Sequence, residues 1–218
     1  MPLTIDIVSD VVCPWCFVGK RKLATALDLY AKERPDAPAP RVTWRPFQLN
    51  PQMPAEGMPR SEYVQRKFGR AGSEVYARVS QAGKAVGIDF AFDRIVRQPN
   101  TLSPHALVAL AGELGKQEEV VDVFFNAYFL EGRDLTDPAT LTELATSAGL
   151  PREAVEARLA DEQARRAVAS EDEQARELGI SGVPFFIFNG RYAVSGAQDP
   201  ATLLQAMLQS EAETAEER

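Results

Sequence analysis

The hydrophobic positions of this chain follow a strand period at both ends and a helical period between them. Residues 3–8 alternate apolar and polar side chains, and the apolar positions between residues 23 and 30 then share one helix face. A second strand is indicated over residues 42–47, ended by Pro46 and by the turn-rich residues 50–54. This strand–helix–strand order predicts a βαβ unit with a right-handed crossover.

From about Pro59 to Leu178 the spacing of apolar residues becomes that of helices. Asp137 followed by Pro138 is a typical helix start, because aspartate caps the first turn and proline fits its first position. Successive apolar stripes end at glycines, which commonly stop helices. These glycines are Gly87, Gly115, Gly132, Gly149 and Gly179. The pattern predicts about 120 residues of helical material in the middle of the chain.

Strand character returns after this helical region. Residues 185–188 and 191–194 are separated by Asn189-Gly190, the strongest short signal for a two-residue hairpin turn. Asp199-Pro200 then starts a last helix, and we expect the acidic end of the chain from Ser210 onward to be frayed. The order of elements predicts an α/β fold with helical material inserted between its two strand-containing parts.

Composition and charge limit the classes of function. The 218 residues are 45% hydrophobic, which is enough for a substantial core. A net charge of −7 argues against binding to nucleic acids or anionic membranes. The chain enters its first strand without a recognisable signal segment, and no run approaches the ~18 apolar residues of a membrane span. We therefore expect a cytoplasmic protein.

The candidate catalytic side chains belong to Cys13-Pro14-Trp15-Cys16, at the junction of the first strand and the first helix. A sulfur at a helix N-terminus is stabilised as a thiolate by unpaired backbone N–H groups and by the positive end of the helix dipole. Cys16 lies one turn inside the helix, shielded from solvent and near enough to form a disulfide with Cys13. Pro14 suits the first helical turn. The spacing therefore favours redox chemistry.

Cys13 and Cys16 are the only cysteines, which weakens the other interpretations. A structural zinc site needs about four ligands, which the two thiols and the single His105 cannot supply without carboxylates. A disulfide across only two intervening residues would be an unusual and strained structural cross-link. A pair of unrelated buried thiols is the remaining non-functional interpretation. We predict a redox-active pair and no metal site.

In its motifs the chain resembles the DsbA-like thioredoxin superfamily, and within it the cytoplasmic FrnE-type branch. That branch is related to 2-hydroxychromene-2-carboxylate isomerases and kappa-class glutathione transferases. The matching stretches are residues 10–16, 44–51, 92–95, 99–101, 179–184 and 190–198. The resemblance implies a thioredoxin fold with a large all-helical domain inserted in its middle. Residues 1–58 and 179–218 would form the thioredoxin-like domain, and residues 59–178 the inserted helical domain.

The resemblance also implies that Pro184 is cis and lies beside the two cysteines. A cis bond turns the backbone so that the N–H and C=O of Val183 can pair with an extended thiol substrate, in the manner of an added strand. A trans proline opening the strand at residues 185–188 is the general alternative. Pro14 and Trp15 are the expected support of the active site.

Two departures from the family pattern affect the thiol chemistry. Thioredoxin and DsbA domains carry a buried acid six residues before the first cysteine, where this chain has Ile7. The proton of the resolving thiol must therefore go elsewhere, to Asp10 or to water. Periplasmic DsbA has Pro-His between its cysteines, and the replacement of that histidine by Trp15 predicts a less oxidising couple.

Asp10 and three further polar residues are candidates for the cleft around the cysteines. His105 is predicted in a first helical turn, where a surface or capping role competes with a role as a wall or proton partner of the site. Asn100 has a plain turn role as its alternative. Asn50 matches a position that contacts glutathione in kappa transferases, and a turn before Pro51 explains it as well.

The leading hypothesis is a thiol–disulfide oxidoreductase in which Cys13 attacks and Cys16 resolves a mixed disulfide. Its partners would be disulfide-containing proteins or small thiols and a cellular thiol reductant, with no bound cofactor and glutathione as a candidate co-substrate. The alternative is a glutathione-dependent isomerase or transferase, although those relatives usually hold serine at the Cys13 position. A binding or chaperone module whose cysteines only sense oxidation is a third hypothesis. Both a monomer and a homodimer are compatible with the sequence.

Overall fold

The computed structural model describes residues 2–69 and 72–216, which form nine helices and six strands. The strands in chain order are β1 (Thr4–Ser9), β2 (Arg41–Pro46), β3 (Met58–Pro59), β4 (Arg97–Gln98), β5 (Phe185–Phe188) and β6 (Tyr192–Ser195). The helices are α1 (Pro14–Glu33), α2 (Arg60–Phe68), α3 (Gly72–Lys84), α4 (Leu102–Glu113), α5 (Gln117–Asn126), α6 (Pro138–Ser147), α7 (Arg152–Ala160), α8 (Glu162–Glu177) and α9 (Pro200–Glu216). A 3₁₀ turn covers Phe92–Arg94, and a π-helical turn covers Ala127–Glu131.

The main sheet has the strand order β2-β1-β5-β6. β1 pairs in parallel with β2 and antiparallel with β5, and β5 pairs antiparallel with β6. The βαβ unit and the hairpin predicted from the sequence are both confirmed. In the hairpin turn Asn189 and Gly190 have φ of 49° and 68°, the left-handed pair that a two-residue turn of this kind requires.

The middle of the chain is helical, as the apolar spacing predicted, but it is not purely helical. Met58 pairs with Gln98 and Pro59 with Arg97, so that β3 and β4 form a small antiparallel ladder. Two-residue strands are too short to show a periodicity, so these two were not predicted from the sequence. The predicted boundary between residues 58 and 59 falls within β3. The π-helical turn ends at Gly132, where a Cβ would lie 2.4 Å from the Arg94 carbonyl oxygen.

The sheet and the inserted helices share one core. Phe17 in α1 stacks on Phe125 of α5, with ring centroids 5.1 Å apart, and on Phe129, with centroids 6.2 Å apart. Phe124, Phe125 and Tyr128 are completely buried in this core. Because Phe17 directly follows Cys16, this stacking fixes the cysteine-bearing end of α1 against the inserted helices.

The acidic end of the chain is ordered further than its composition suggested. Helix α9 continues to Glu216, and the Tyr30 hydroxyl in α1 donates a hydrogen bond to Glu211 in its last turns. Ser210 is buried. The expectation of fraying from Ser210 was therefore wrong as far as Glu216; residues 217 and 218 lie outside the described part. None of the helices described is long and apolar enough to cross a membrane.

Candidate active site

Cys13 lies at the N-terminus of α1, in the position that caps the helix. Its backbone is extended, with φ of −93° and ψ of 111°, and Pro14 occupies the first helical position. The Cys13 N–H donates to the Asp10 carbonyl at 3.0 Å, and the Cys16 N–H donates to the Cys13 carbonyl at 3.0 Å. The turn after β1 thus presents the first sulfur at the positive end of the helix dipole, where a thiolate is stabilised.

The two thiols are free, and Cys16 is the more deeply placed, with 1% of its surface exposed against 4% for Cys13. Burial raises the pKa of Cys16 well above its ordinary value, and the neighbouring Cys13 side chain raises it further. The Ser9 hydroxyl and the Asp10 backbone act in the opposite direction by hydrogen bonding to the sulfur. The balance keeps Cys16 as a neutral thiol.

Val183 and Pro184 lie beside Cys13, and the peptide bond between them is cis. The Cys13 thiol donates a hydrogen bond to the Val183 carbonyl, with 3.6 Å between sulfur and oxygen. Gly19 was not among the residues predicted for the site, yet it allows α1 to lie close to Pro184. A Cβ on Gly19 would lie 2.9 Å from Pro184 Cγ and 3.2 Å from the Phe186 ring. A glycine inside a helical pattern was the available signal, since such a residue often marks a close packing contact.

Asp10 and His105 form a buried pair next to the cysteine turn. Asp10 Oδ1 lies 3.3 Å from His105 Nε2, and Asp10 Oδ2 accepts the Leu49 N–H at 2.7 Å. Asp10 is fully buried and His105 is 4% exposed. The sequence named both residues as separate candidates for the cleft. The tertiary structure brings them together, with the Asp10 backbone bonded to Cys13 and the Asp10 side chain bonded to His105.

The two candidate asparagines form structural contacts. The Asn100 side chain donates to the Met53 carbonyl at 2.7 Å and accepts the Leu102 N–H at 2.9 Å, so it joins a loop to the start of α4. This matches the turn role that the sequence left open as its alternative. The Asn50 side chain donates to the Tyr63 hydroxyl at 3.4 Å and is partly buried. Asn100 thus holds the loop at Met53, and Asn50 follows Leu49, whose N–H donates to Asp10.

Three comparisons with known proteins bear on this site. The DSBA-like thioredoxin domain family matches residues 4–208. A probable DsbA oxidoreductase, SCO1869 from Streptomyces coelicolor, has a similar structure, with a TM-score of 0.86 and 33% identity over 97% of this chain and 91% of its own. The uncharacterized protein YwbO of Bacillus subtilis (strain 168) is 28% identical over 90% of this chain and 92% of its own.

A more distant structure has the same fold. It is the cytosolic disulfide reductase DsbM from Pseudomonas aeruginosa with GSH, which has a TM-score of 0.62 and 22% identity over 98% of each chain. The matched family covers the sheet, the cysteine turn and the inserted helices alike. This agreement confirms the fold and the superfamily that the motifs indicated. The chain belongs to the DSBA-like thioredoxin domain family.

Proposed function

We propose that this protein is a thiol–disulfide oxidoreductase in which Cys13 attacks a substrate disulfide and Cys16 resolves the mixed disulfide. The observation that carries the proposal is the asymmetry of the two thiols. Cys13 lies at a helix N-terminus beside Val183, whereas Cys16 is buried and has a raised pKa. The family, and the 33% identical structure described as a probable DsbA oxidoreductase, support an enzyme of the oxidoreductase or isomerase type.

In the first step the Cys13 thiolate attacks one sulfur of the substrate disulfide. A bond forms between Cys13 Sγ and that sulfur, and the other substrate sulfur leaves as a thiolate. Ionisation of Cys13 also breaks its hydrogen bond to the Val183 carbonyl. That carbonyl is then available to accept an N–H from an extended substrate backbone, as in strand addition.

In the second step Cys16 loses its proton and attacks Cys13 Sγ. The Cys13–Cys16 disulfide forms, the mixed disulfide breaks, and the second substrate thiol is released. Two electrons pass from the protein to the substrate, and the reverse sequence oxidises a dithiol. Cys16 is suited to this step because its burial keeps it from reacting with disulfides in solution, while Cys13 lies within its reach.

We further propose protein disulfides or small thiols as substrates and a cellular thiol as the reductant that regenerates the pair. Glutathione is the candidate small thiol, because the related DsbM structure contains GSH. A reducing, cytoplasmic setting fits a pair that works as free thiols. The net charge of −7 gives no support to nucleic-acid or anionic-membrane partners.

Single-turnover mixing with a chromogenic aromatic disulfide tests this mechanism. With less than one equivalent of reagent, the reduced protein should release two coloured thiolates in succession, the first on Cys13 attack and the second on Cys16 resolution. Cys13→Ser should abolish both releases. Cys16→Ser should release one thiolate and accumulate a mixed disulfide detectable by mass.

Failure of Cys16→Ser to accumulate a mixed disulfide would contradict the proposal. Turnover of a small electrophile with glutathione that survives Cys13→Ser would instead support the isomerase or transferase hypothesis. Client binding that survives the same substitution, without any thiol release, would support the binding module. Trp44→Phe is a useful background for following Trp15 fluorescence, because Trp44 contributes a second signal.

A further inference from the structure

Gly19 lies inside α1, one turn after Cys16, at a position where the backbone itself does not require a glycine. It is not among the glycines with positive φ, and glycine destabilises a helix interior relative to alanine. The residue is buried. A Cβ at this position would lie 2.9 Å from Pro184 Cγ, 3.5 Å from Pro184 Cβ and 3.2 Å from Phe186 Cζ. The space that Pro184 and Phe186 occupy therefore explains the glycine.

Pro184 and Phe186 are held on their own side of this contact. Phe186 belongs to β5, which pairs with β1 on one side and with β6 on the other, and its side chain is fully buried. The Pro184 carbonyl accepts the Gly196 N–H at 2.8 Å. The Pro184 ring is closed on the backbone, so it cannot turn away as a flexible side chain would. A side chain at position 19 would therefore displace α1 from the start of β5.

The two elements that meet at Gly19 also carry the two sides of the site. Cys13 caps α1, and Val183 directly precedes Pro184 at the start of β5. The Cys13 thiol donates to the Val183 carbonyl, with 3.6 Å between sulfur and oxygen. Because Cys13 moves with α1 and Val183 moves with β5, a separation of the two elements at Gly19 lengthens this distance.

The spacing of Cys13 and Val183 matters most for a substrate that has a polypeptide backbone. Such a substrate can bond to Cys13 through its cysteine sulfur while a neighbouring N–H donates to the Val183 carbonyl, as in strand addition. Both contacts form together only when the sulfur and the carbonyl lie at a fixed spacing. A small disulfide without a backbone requires Cys13 alone.

We propose that Gly19 is a positioning residue that keeps Cys13 and the Val183 carbonyl at the spacing an extended polypeptide disulfide requires. This inference rests on the proposed oxidoreductase function and names polypeptides as its preferred substrate class. The Cys13 thiolate attacks the cysteine sulfur of the polypeptide, and a disulfide forms between them. The other sulfur of the substrate leaves as a thiolate, while the Val183 carbonyl accepts an N–H of the bound chain.

Two mixed disulfides with the same coloured aromatic thiol test this proposal. One joins that thiol to the cysteine of a short capped peptide, and the other joins it to mercaptoethanol. The aromatic thiolate is the better leaving group in both, because its thiol has the lower pKa. In the Cys16→Ser background the reaction stops after the first step, so the colour reports attack by Cys13 alone.

The protein with Gly19 should react faster with the peptide disulfide than with the mercaptoethanol disulfide. Gly19→Ala should lower the second-order rate constant for the peptide by about tenfold, the effect of one lost hydrogen bond. Its rate constant for the mercaptoethanol disulfide should be unchanged. A loss of preference between two substrates with one leaving group is a result that general destabilisation does not produce.

Two control variants separate this effect from changes in helix stability. Leu23→Ala removes a buried side chain from the same helix, at a position that lines a cavity of about 250 Å³ next to β2. Gly112→Ala makes the same replacement in α4, where the nearest group is the flexible end of the Gln117 side chain. Both variants should retain the preference for the peptide.

Equal slowing of Gly19→Ala with both disulfides, or loss of its native circular dichroism spectrum, would show a purely structural role and overturn the proposal. A retained peptide preference in Gly19→Ala would overturn it as well, and so would an equal loss of preference in Leu23→Ala or Gly112→Ala. Equal rates with the two disulfides in the protein with Gly19 would also overturn it. Absence of any Cys13-dependent release from either disulfide would instead contradict the oxidoreductase function itself.

Discussion

Cys16 is a single residue whose neighbours determine its chemistry. Its pKa is raised by burial first and by the Cys13 side chain second, while Ser9 and the Asp10 backbone oppose both. A thiol with a pKa higher in the folded than in the unfolded state favours folding as long as it keeps its proton. The contribution to stability is complete below the unfolded pKa, and it is lost as the pH rises from there toward the folded value.

We therefore expect the reduced protein to lose stability above about pH 9, the ordinary pKa of a cysteine thiol. Each pH unit between the two pKa values lowers the free energy of unfolding by about 1.4 kcal/mol for one thiol. Urea unfolding from pH 7 to pH 11 in the presence of a phosphine reductant measures this. Cys16→Ala should show a shallower alkaline loss, and Tyr30 and Tyr128, whose pKa values burial also raises, act equally in both proteins. Parallel curves for the two proteins would contradict the expectation.

At the scale of elements, the helix starts show how far local sequence determines the structure. Asp137 caps α6 as its sequence predicted, and its carboxylate accepts the N–H groups of Ala139 and Thr140 at 3.2 and 3.1 Å. The Thr140 hydroxyl and these N–H groups lower the pKa of Asp137. Helix α1 begins differently, because its cap is Cys13 and that side chain makes no capping hydrogen bond. The cysteine is thus available for chemistry at a position where a structural cap is usual.

Replacement of Asp137 by Ala should lower the free energy of unfolding by about 1 kcal/mol at neutral pH, because two N–H groups of α6 lose their partner. Asp137→Asn should retain most of the stability, since asparagine also caps helices well. The contribution of the ionised carboxylate is present above the usual aspartate range and is lost as the pH falls through the lowered pKa. Equal stability of all three proteins at pH 7 would show that the cap contributes nothing. Thermal unfolding followed by circular dichroism measures the difference.

At the scale of the whole molecule, the inserted helices are packed directly onto the cysteine-bearing helix. Phe17 stacks on Phe125, and Trp44 of β2 meets the same ring edge-on with centroids 6.1 Å apart. Residues from β1, α1, α4, α5, α6 and α9 belong to one buried cluster. The division at residues 58–59 and 178–179 stays a prediction, and its test is whether the two parts unfold separately.

The shared core predicts a single cooperative unfolding transition. Phe125→Ala should lower the free energy of unfolding by about 3–5 kcal/mol, because it leaves a cavity between the sheet region and the inserted helices. The unfolding midpoints measured by Trp15 fluorescence and by helical circular dichroism should fall together in this variant. Val123→Ala, a partly buried position on the same helix, is the milder control. Two separate transitions, one for the sheet region and one for the inserted helices, would instead show two independently folding domains.

Features that depend on neighbours in the chain could be predicted from the amino-acid sequence. The placement of Cys13 and Cys16 at a strand-to-helix junction, the Asn189-Gly190 turn and the Asp137 cap each follow from interactions within a few residues. These interactions are set by backbone sterics and local hydrogen bonds, so a pattern along the chain reveals them. The family motifs extended these local predictions to the whole fold.

Contacts between residues far apart in the chain could not be predicted in this way, because they depend on the packing of the fold. Asp10 and His105 are 95 residues apart, and Cys13 and Val183 are 170 residues apart. Their contacts arise because the inserted helices and the last strands share a core with β1 and α1. The same burial removes Cys16 from water and raises its pKa. Packing of distant segments, and not any local pattern, sets these distances and this loss of solvent.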